Sequence, residues 1–195
     1  MSTKKSKFST KTLTIGAMMT AFVIVFQLLA TYTTFFGPFS TAIGLIPIII
    51  GAVLCGPVMG VWLGFVFAFI VLITGGANLF LTFSIHGTLI TVLTKGMGCG
   101  FVAGIVNKLI KKFNQDIAAI ASAILCPIVN TGLFLLGSYI FFLPYASQIA
   151  GQIEMVGSGF GVFIAIAMGN FLFEIGLCLV LSPVIVKFLR YTKKG

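Results

Sequence analysis

Acidic residues are almost absent from this sequence. Asp116, Glu154 and Glu174 are the only three in 195 residues, and charges of both signs make up 8%. A soluble domain carries about 25% charged residues to cover its wetted surface, so a water-soluble globule is excluded. Histidine is equally scarce, with His86 alone. One histidine and three acids supply neither a Ser/His/Asp grouping nor a set of metal ligands. No enzyme, catalytic residue, metal or cofactor is therefore expected. A G-x-x-x-x-G-K-[ST] phosphate loop is also missing, so this chain does not hydrolyse ATP by that route. Cys55, Cys99, Cys126 and Cys178 stand singly in apolar stretches. Their spacing suits neither zinc nor dithiol redox chemistry, and they read as small packing residues.

What is present is apolar: 59% of residues are hydrophobic and the mean hydropathy is +1.19. The net charge of +9 comes from bases gathered at the edges of apolar runs. Lys4, Lys5, Lys7 and Lys11 precede the first run. Lys108, Lys111 and Lys112 share one mid-chain gap, and Lys187, Arg190, Lys193 and Lys194 close the chain. A nucleic-acid surface would mix its bases with polar and aromatic readers, so no nucleic-acid partner is expected. A membrane protein instead concentrates Lys and Arg in short cytoplasmic loops.

A helix needs about 20 apolar residues to cross the hydrocarbon core. The runs predict an all-α, six-transmembrane-helix bundle in one domain, with spans near 13–32, 39–55, 57–74, 88–107, 117–143 and 160–181. The first run is too long for a signal-peptide core and lacks a clear cleavage site. Pro47 and Pro127 interrupt the second and fifth spans, and Pro183 is expected to kink or end the sixth. Residues 78–87 read as a loop or short re-entrant piece. An even number of crossings puts both termini and the Lys108–Lys112 gap on one side. The opposite loops, 33–41, 75–87 and 144–159, hold no Lys or Arg. Both termini are therefore expected in the cytoplasm, and the chain in a bacterial plasma membrane.

Glycine recurs every fourth position at Gly56, Gly60 and Gly64, and again at Gly96, Gly100 and Gly104. That spacing puts small residues on one helix face and suits tight helix packing. A third stripe, Gly16-Ala17 with Thr20-Ala21, fits either packing inside the bundle or a smooth docking face for another membrane protein.

Lys95 is the one base inside a span, and an ammonium there costs several kcal/mol without a partner or water. Thr88 and Thr91 lie on the same helix face as Lys95. Glu174 is the intramembrane acid, with Asn170 one turn away, and Asn130 and Thr131 follow Pro127 in the fifth span. These groups fall at comparable depth, so Lys95, Thr91, Asn130, Thr131, Asn170 and Glu174 are candidates for a binding pocket. The alternative is an ion pair of Lys95 with Glu174 that only ties two helices together. In a pocket, Lys95 suits a carboxylate or phosphate, and the two asparagines suit hydroxyls or an amide. Tyr32, Phe35, Phe36, Gly37, Gly157 and Gly159 in the outer loops suit a flexible lid.

The basic N-terminus, six runs, overall length and the Ala17-x-x-x-Ala21 pair resemble the substrate-binding S component of an energy-coupling-factor (ECF) vitamin transporter. The resemblance covers essentially the whole chain. Four stretches look like the branch that includes pantothenate transporters: Phe36-Gly37-Pro38-Phe39-Ser40, Leu45-Ile46-Pro47-Ile48, Cys126-Pro127-Ile128-Val129-Asn130-Thr131-Gly132 and Leu181-Ser182-Pro183-Val184-Ile185-Val186. The resemblance implies a small-molecule vitamin as ligand. It also implies a transmembrane coupling subunit docked on Ala17 and Ala21, with two cytoplasmic ATPases. Pantothenate carries a carboxylate, an amide and two hydroxyls, which suit Lys95, Asn130 and Asn170. Similar S components take riboflavin, folate, pyridoxine or biotin on one scaffold. Two other readings stay open on the residues alone: a dimeric proton-coupled secondary transporter using Glu174, and a structural subunit without ligand.

Overall fold

Long apolar runs in hydrocarbon must satisfy their backbone internally, which favours helices. The computed structural model describes residues 10–32, 43–153 and 159–194, the last helix beyond Pro183 mainly by its backbone. Among the described residues the chain is helical and contains no strand. The α-helices are α1 (Thr10–Tyr32), α2 (Leu45–Cys55), α3 (Pro57–Ile73), α4 (Asn78–Leu81), α5 (Ile85–Ile110), α6 (Gln115–Gly137), α7 (Ala146–Gln152) and α8 (Gly161–Lys194). A π-helical turn, Ser138–Phe142, and a 3-10 turn, Leu143–Tyr145, join α6 to α7. Among the described residues, four stretches are long and apolar enough to cross a membrane: Thr10–Thr31, Ile85–Ile110, Gln115–Gln152 and Gly161–Pro183. The apolar helices α2 and α3 are shorter.

Local chemistry sets several boundaries. Gly56 adopts φ 94°, a conformation that favours glycine, and Pro57 then opens α3, where its missing N–H costs nothing. Ser84 caps α5 by accepting from the Gly87 N–H at 3.2 Å. Asn114 caps α6 by accepting from the N–H groups of Asp116 and Ile117 at 2.8 and 3.2 Å. Hydroxyls within the apolar helices donate back to their own backbone, as Thr20 does to Gly16 O at 2.8 Å and Thr74 to Ile70 O at 2.7 Å.

The two glycine stripes meet each other. A Cβ on Gly60 would collide with the Gly100 carbonyl, one on Gly64 with the Gly96 carbonyl, and one on Gly104 with Pro57. α3 and α5 therefore touch backbone to backbone. Gly56 does not belong to that contact: open space surrounds it, and its role is the turn.

One end of the bundle is fixed by polar contacts. Asn107 Nδ2 donates to the Val53 carbonyl at 2.9 Å, and Cys55 Sγ lies 3.9 Å from the Thr12 carbonyl. The start of α1, the end of α2 and the end of α5 thus lie together, which brings Lys11 to the same end as Lys108. The other end carries α4, the π-helical turn and α7. An apolar cluster of Phe80, Phe142, Ile149 and Phe163 fills it. A second cluster, built from α1, α2, α3, α5, α6 and α8, contains Val23, Ile48, Leu63 and Phe67.

Several expectations need correction. For residues 78–87 the loop alternative gives way to a short, mostly helical piece: α4 and the first turn of α5 flank a turn at 82–84. The expected loop 144–159 is helical through Gln152. Pro183 does not end the last helix, which continues to Lys194. The stripe on α1 divides. Gly16 packs on the Met59 side chain and Thr20 accepts from Trp62 Nε1 at 3.2 Å, whereas Ala17 and Ala21 are exposed. The stretch Phe36–Ser40, and with it Phe35, Phe36, Gly37 and Gly157 of the expected lid, lies outside the described residues.

Candidate substrate-binding site

A cavity of about 70 Å³ lies where the two apolar clusters meet. That is room for several waters. Its walls come from α3, α4, α5, α6 and α8. Five of the polar side chains singled out in the sequence line it: Lys95, Asn130, Thr131, Asn170 and Glu174. Phe67, Phe80 and Phe134 supply aromatic walls, with Val71, Val92 and Ile166 beside them.

Thr91 is not among the lining residues. It is 4% exposed, a Cβ on Gly137 would strike its side chain, and its Oγ1 has no hydrogen-bond partner among the described residues. The helical step explains this: Thr91 is one turn from Lys95 on α5, but α6 presses against it at Gly137. Thr88 is also buried, donating to the Ser84 carbonyl at 2.7 Å.

The two charges of the cavity act on each other through space, and each has a further neighbour. Asn130 Nδ2 donates to Glu174 Oε2 at 3.3 Å, joining α6 to α8. Both residues are buried, at 4% and 5% exposure. Lys95 Nζ stands 5.6 Å from the centre of the Phe134 ring, within cation–π range. Asn130 Oδ1 is buried and has no partner among the described residues. An orphaned buried carbonyl costs about 1–3 kcal/mol, so this oxygen is a ready acceptor for a donor that enters the cavity.

Aromatic stacking builds the rest of the wall. Phe80 meets Phe134 edge-to-face at 5.5 Å and Phe142 at 5.1 Å. Phe80 rides on α4, a segment that reads as loop in the sequence. Phe134 sits one turn after Asn130 on α6, and that spacing is the signal that places it on the cavity face.

A layer of thiols lies one turn from the polar groups. Cys99 follows Lys95 by four positions, Cys178 follows Glu174 by four, and Cys126 precedes Asn130 by four. Cys99, Cys126 and Cys178 are 0%, 0% and 2% exposed and share one apolar cluster. Among the described residues no group of His, Cys, Asp and Glu is arranged to hold a metal ion.

The arrangement combines a cation, a carboxylate, two amides and a hydroxyl with aromatic walls in a membrane bundle. It suits recognition of a small polar molecule and offers no nucleophile–base pair for chemistry. Comparison with curated proteins and with solved structures gave no match. Comparison with protein families did: the family described as ECF transporter, substrate-specific component matches residues 11–186, nearly the whole chain. The chain belongs to the family of substrate-specific components of ECF transporters.

Proposed function

We propose that this chain is the pantothenate-binding subunit of its importer. A substrate-specific component is a membrane subunit rather than an enzyme, and it works with a separate ECF module. The observation that carries the ligand assignment is the cavity itself, lined by Lys95 and by Asn130, whose buried amide oxygen has no partner among the described residues. The ligand carboxylate takes a charge-assisted bond from Lys95, which is stronger than a neutral one. Asn130 Oδ1 accepts from a ligand hydroxyl or amide N–H. Thr131 and Asn170 serve the remaining polar groups, and Phe67 and Phe80 cover the apolar gem-dimethyl carbon. Thr91 supports Lys95 from behind the wall.

In this reading the chain crosses the membrane six times with both termini in the cytoplasm. The shared end of Lys11 and Lys108 supports that orientation by the distribution of positive charge. The exposed Ala17 and Ala21 form the smooth face on which the coupling subunit docks, and two cytoplasmic ATPases complete the module.

Binding of labelled pantothenate to the purified chain in lipid nanodiscs tests the proposal. Saturable binding, displaced by unlabelled pantothenate but not by riboflavin, folate, pyridoxine or biotin, is expected. Displacement by one of those four instead overturns the ligand assignment.

A further inference from the structure

The cavity holds two opposite charges, and the site works only if its cation remains available to a ligand. Glu174 Oε2 accepts from Asn130 Nδ2. The Lys95 ammonium lies over the face of Phe134 at 5.6 Å. A ring face attracts a cation through its quadrupole, and the attraction grows where water is excluded. Glu174 acts on the same ammonium through space, whereas the ring holds it without offering an opposite charge. Phe134 is itself held, because the Phe80 ring meets it nearly perpendicular, at 79°, and Phe80 also packs on Phe142. The ring that faces Lys95 is thus fixed by contacts from another element.

We propose that Phe134 is the positioning residue for the cation of this site, seating the Lys95 ammonium in the cavity so that an anionic ligand meets it already placed and partly desolvated. This rests on the reading of the cavity as an anion-binding site and adds to it the residue that sets anion selectivity. A flexible lysine stem loses rotamer freedom when its head is fixed. Phe134 imposes that loss before the ligand arrives, so ligand affinity is not reduced by it.

Two measurements on the full chain in nanodiscs test this. The first needs no ligand. In protein labelled with 13C at lysine Cε, the Lys95 signal is identified by its loss in Lys95→Met. Its ε protons are expected upfield of the other lysines, from the ring current of Phe134. They should return to the ordinary position in Phe134→Leu and move upfield again in Phe134→Tyr. The second compares pantothenate with panthenol, in which the carboxylate is replaced by a hydroxymethyl group. Wild type should prefer pantothenate. Phe134→Leu should shrink that preference about 5–30-fold, and Phe134→Tyr should restore it. Taking the ratio cancels packing lost equally by both ligands. An ordinary Lys95 shift in wild type, or a preference unchanged in Phe134→Leu, overturns the proposal. If wild type binds neither compound, the anion-selectivity role falls with the pantothenate assignment, while the lysine shift still decides whether Phe134 holds the cation.

Discussion

Lys95→Met separates a ligand-binding lysine from one that only ties helices together. Methionine keeps the unbranched stem and its contact with Phe134, and it removes the ammonium. A charge-assisted hydrogen bond contributes about 1.5–3 kcal/mol, and each 1.4 kcal/mol is tenfold in affinity. Pantothenate binding should therefore weaken about 10- to 150-fold. Stability should change little, because Glu174 keeps its bond from Asn130 and a carboxyl left without a cation can take up a proton. The melting temperature should stay within about 4 °C of wild type, the shift that about 1 kcal/mol produces in a chain of this size. Glu174→Gln and the double variant complete the cycle. A Lys95–Glu174 tie predicts the opposite pattern: Lys95→Met melts much earlier, Glu174→Gln on top of it restores stability, and affinity hardly moves. Thermal unfolding and equilibrium binding on the four proteins decide it. Unchanged affinity in a well-folded Lys95→Met protein would refute the reasoning and remove the main argument for an anionic ligand.

Other expectations follow from the same structure. Ala17→Trp with Ala21→Trp should leave pantothenate binding by the isolated chain intact and abolish uptake by the assembled importer, because a bulky ring keeps a partner helix away; lost binding would make the stripe internal packing. Gly64→Leu drives a side chain into the Gly96 carbonyl and should cost about 3 kcal/mol or more, read as loss of folded protein from the membrane, whereas Gly132→Leu, which faces open space, should accumulate normally. Uptake in cells should survive an uncoupler as long as ATP is maintained; uptake that stops with the proton gradient and needs no ATPase would favour a Glu174-driven secondary transporter.

Much of the site was legible because polar residues are rare in apolar runs. Lys95, Asn130, Asn170 and Glu174 stand out in a chain with 8% charge, and helical spacing alone puts Asn170 beside Glu174. Phe134 did not stand out: it is one of 21 phenylalanines, and its one signal is the single-turn spacing from Asn130. Thr91 shares a helix face with Lys95, but which part of that face the cavity reaches depends on how α6 packs at Gly137. Residues 78–87 read as a loop or short re-entrant piece because Gly75, Gly76 and the polar Asn78 and Ser84 resemble loop chemistry. Their helix is short and is stabilised by Phe80 packing between Phe134 and Phe142. Of the two outcomes expected at Pro183, a kink or an end, the end is excluded, because the helix continues past it. Proline stops helices in water, but a chain in hydrocarbon gains from continuing the helix past the one missing bond.

The glycine seam between α3 and α5 has a mechanical consequence. Backbones in direct contact leave no side-chain layer to shear, so α3 and α5 move as one strut. Gly16 rests on Met59 of that strut, and Trp62 of the same helix donates to Thr20. The strut carries Lys95 in the cavity at one point and supports α1, with its exposed Ala17 and Ala21, at another. α6 is also held against the strut, where Ser122 Oγ donates to the Ala103 carbonyl at 2.9 Å. A tilt of that strut at the cavity would then appear at the outer surface of α1 as an angle.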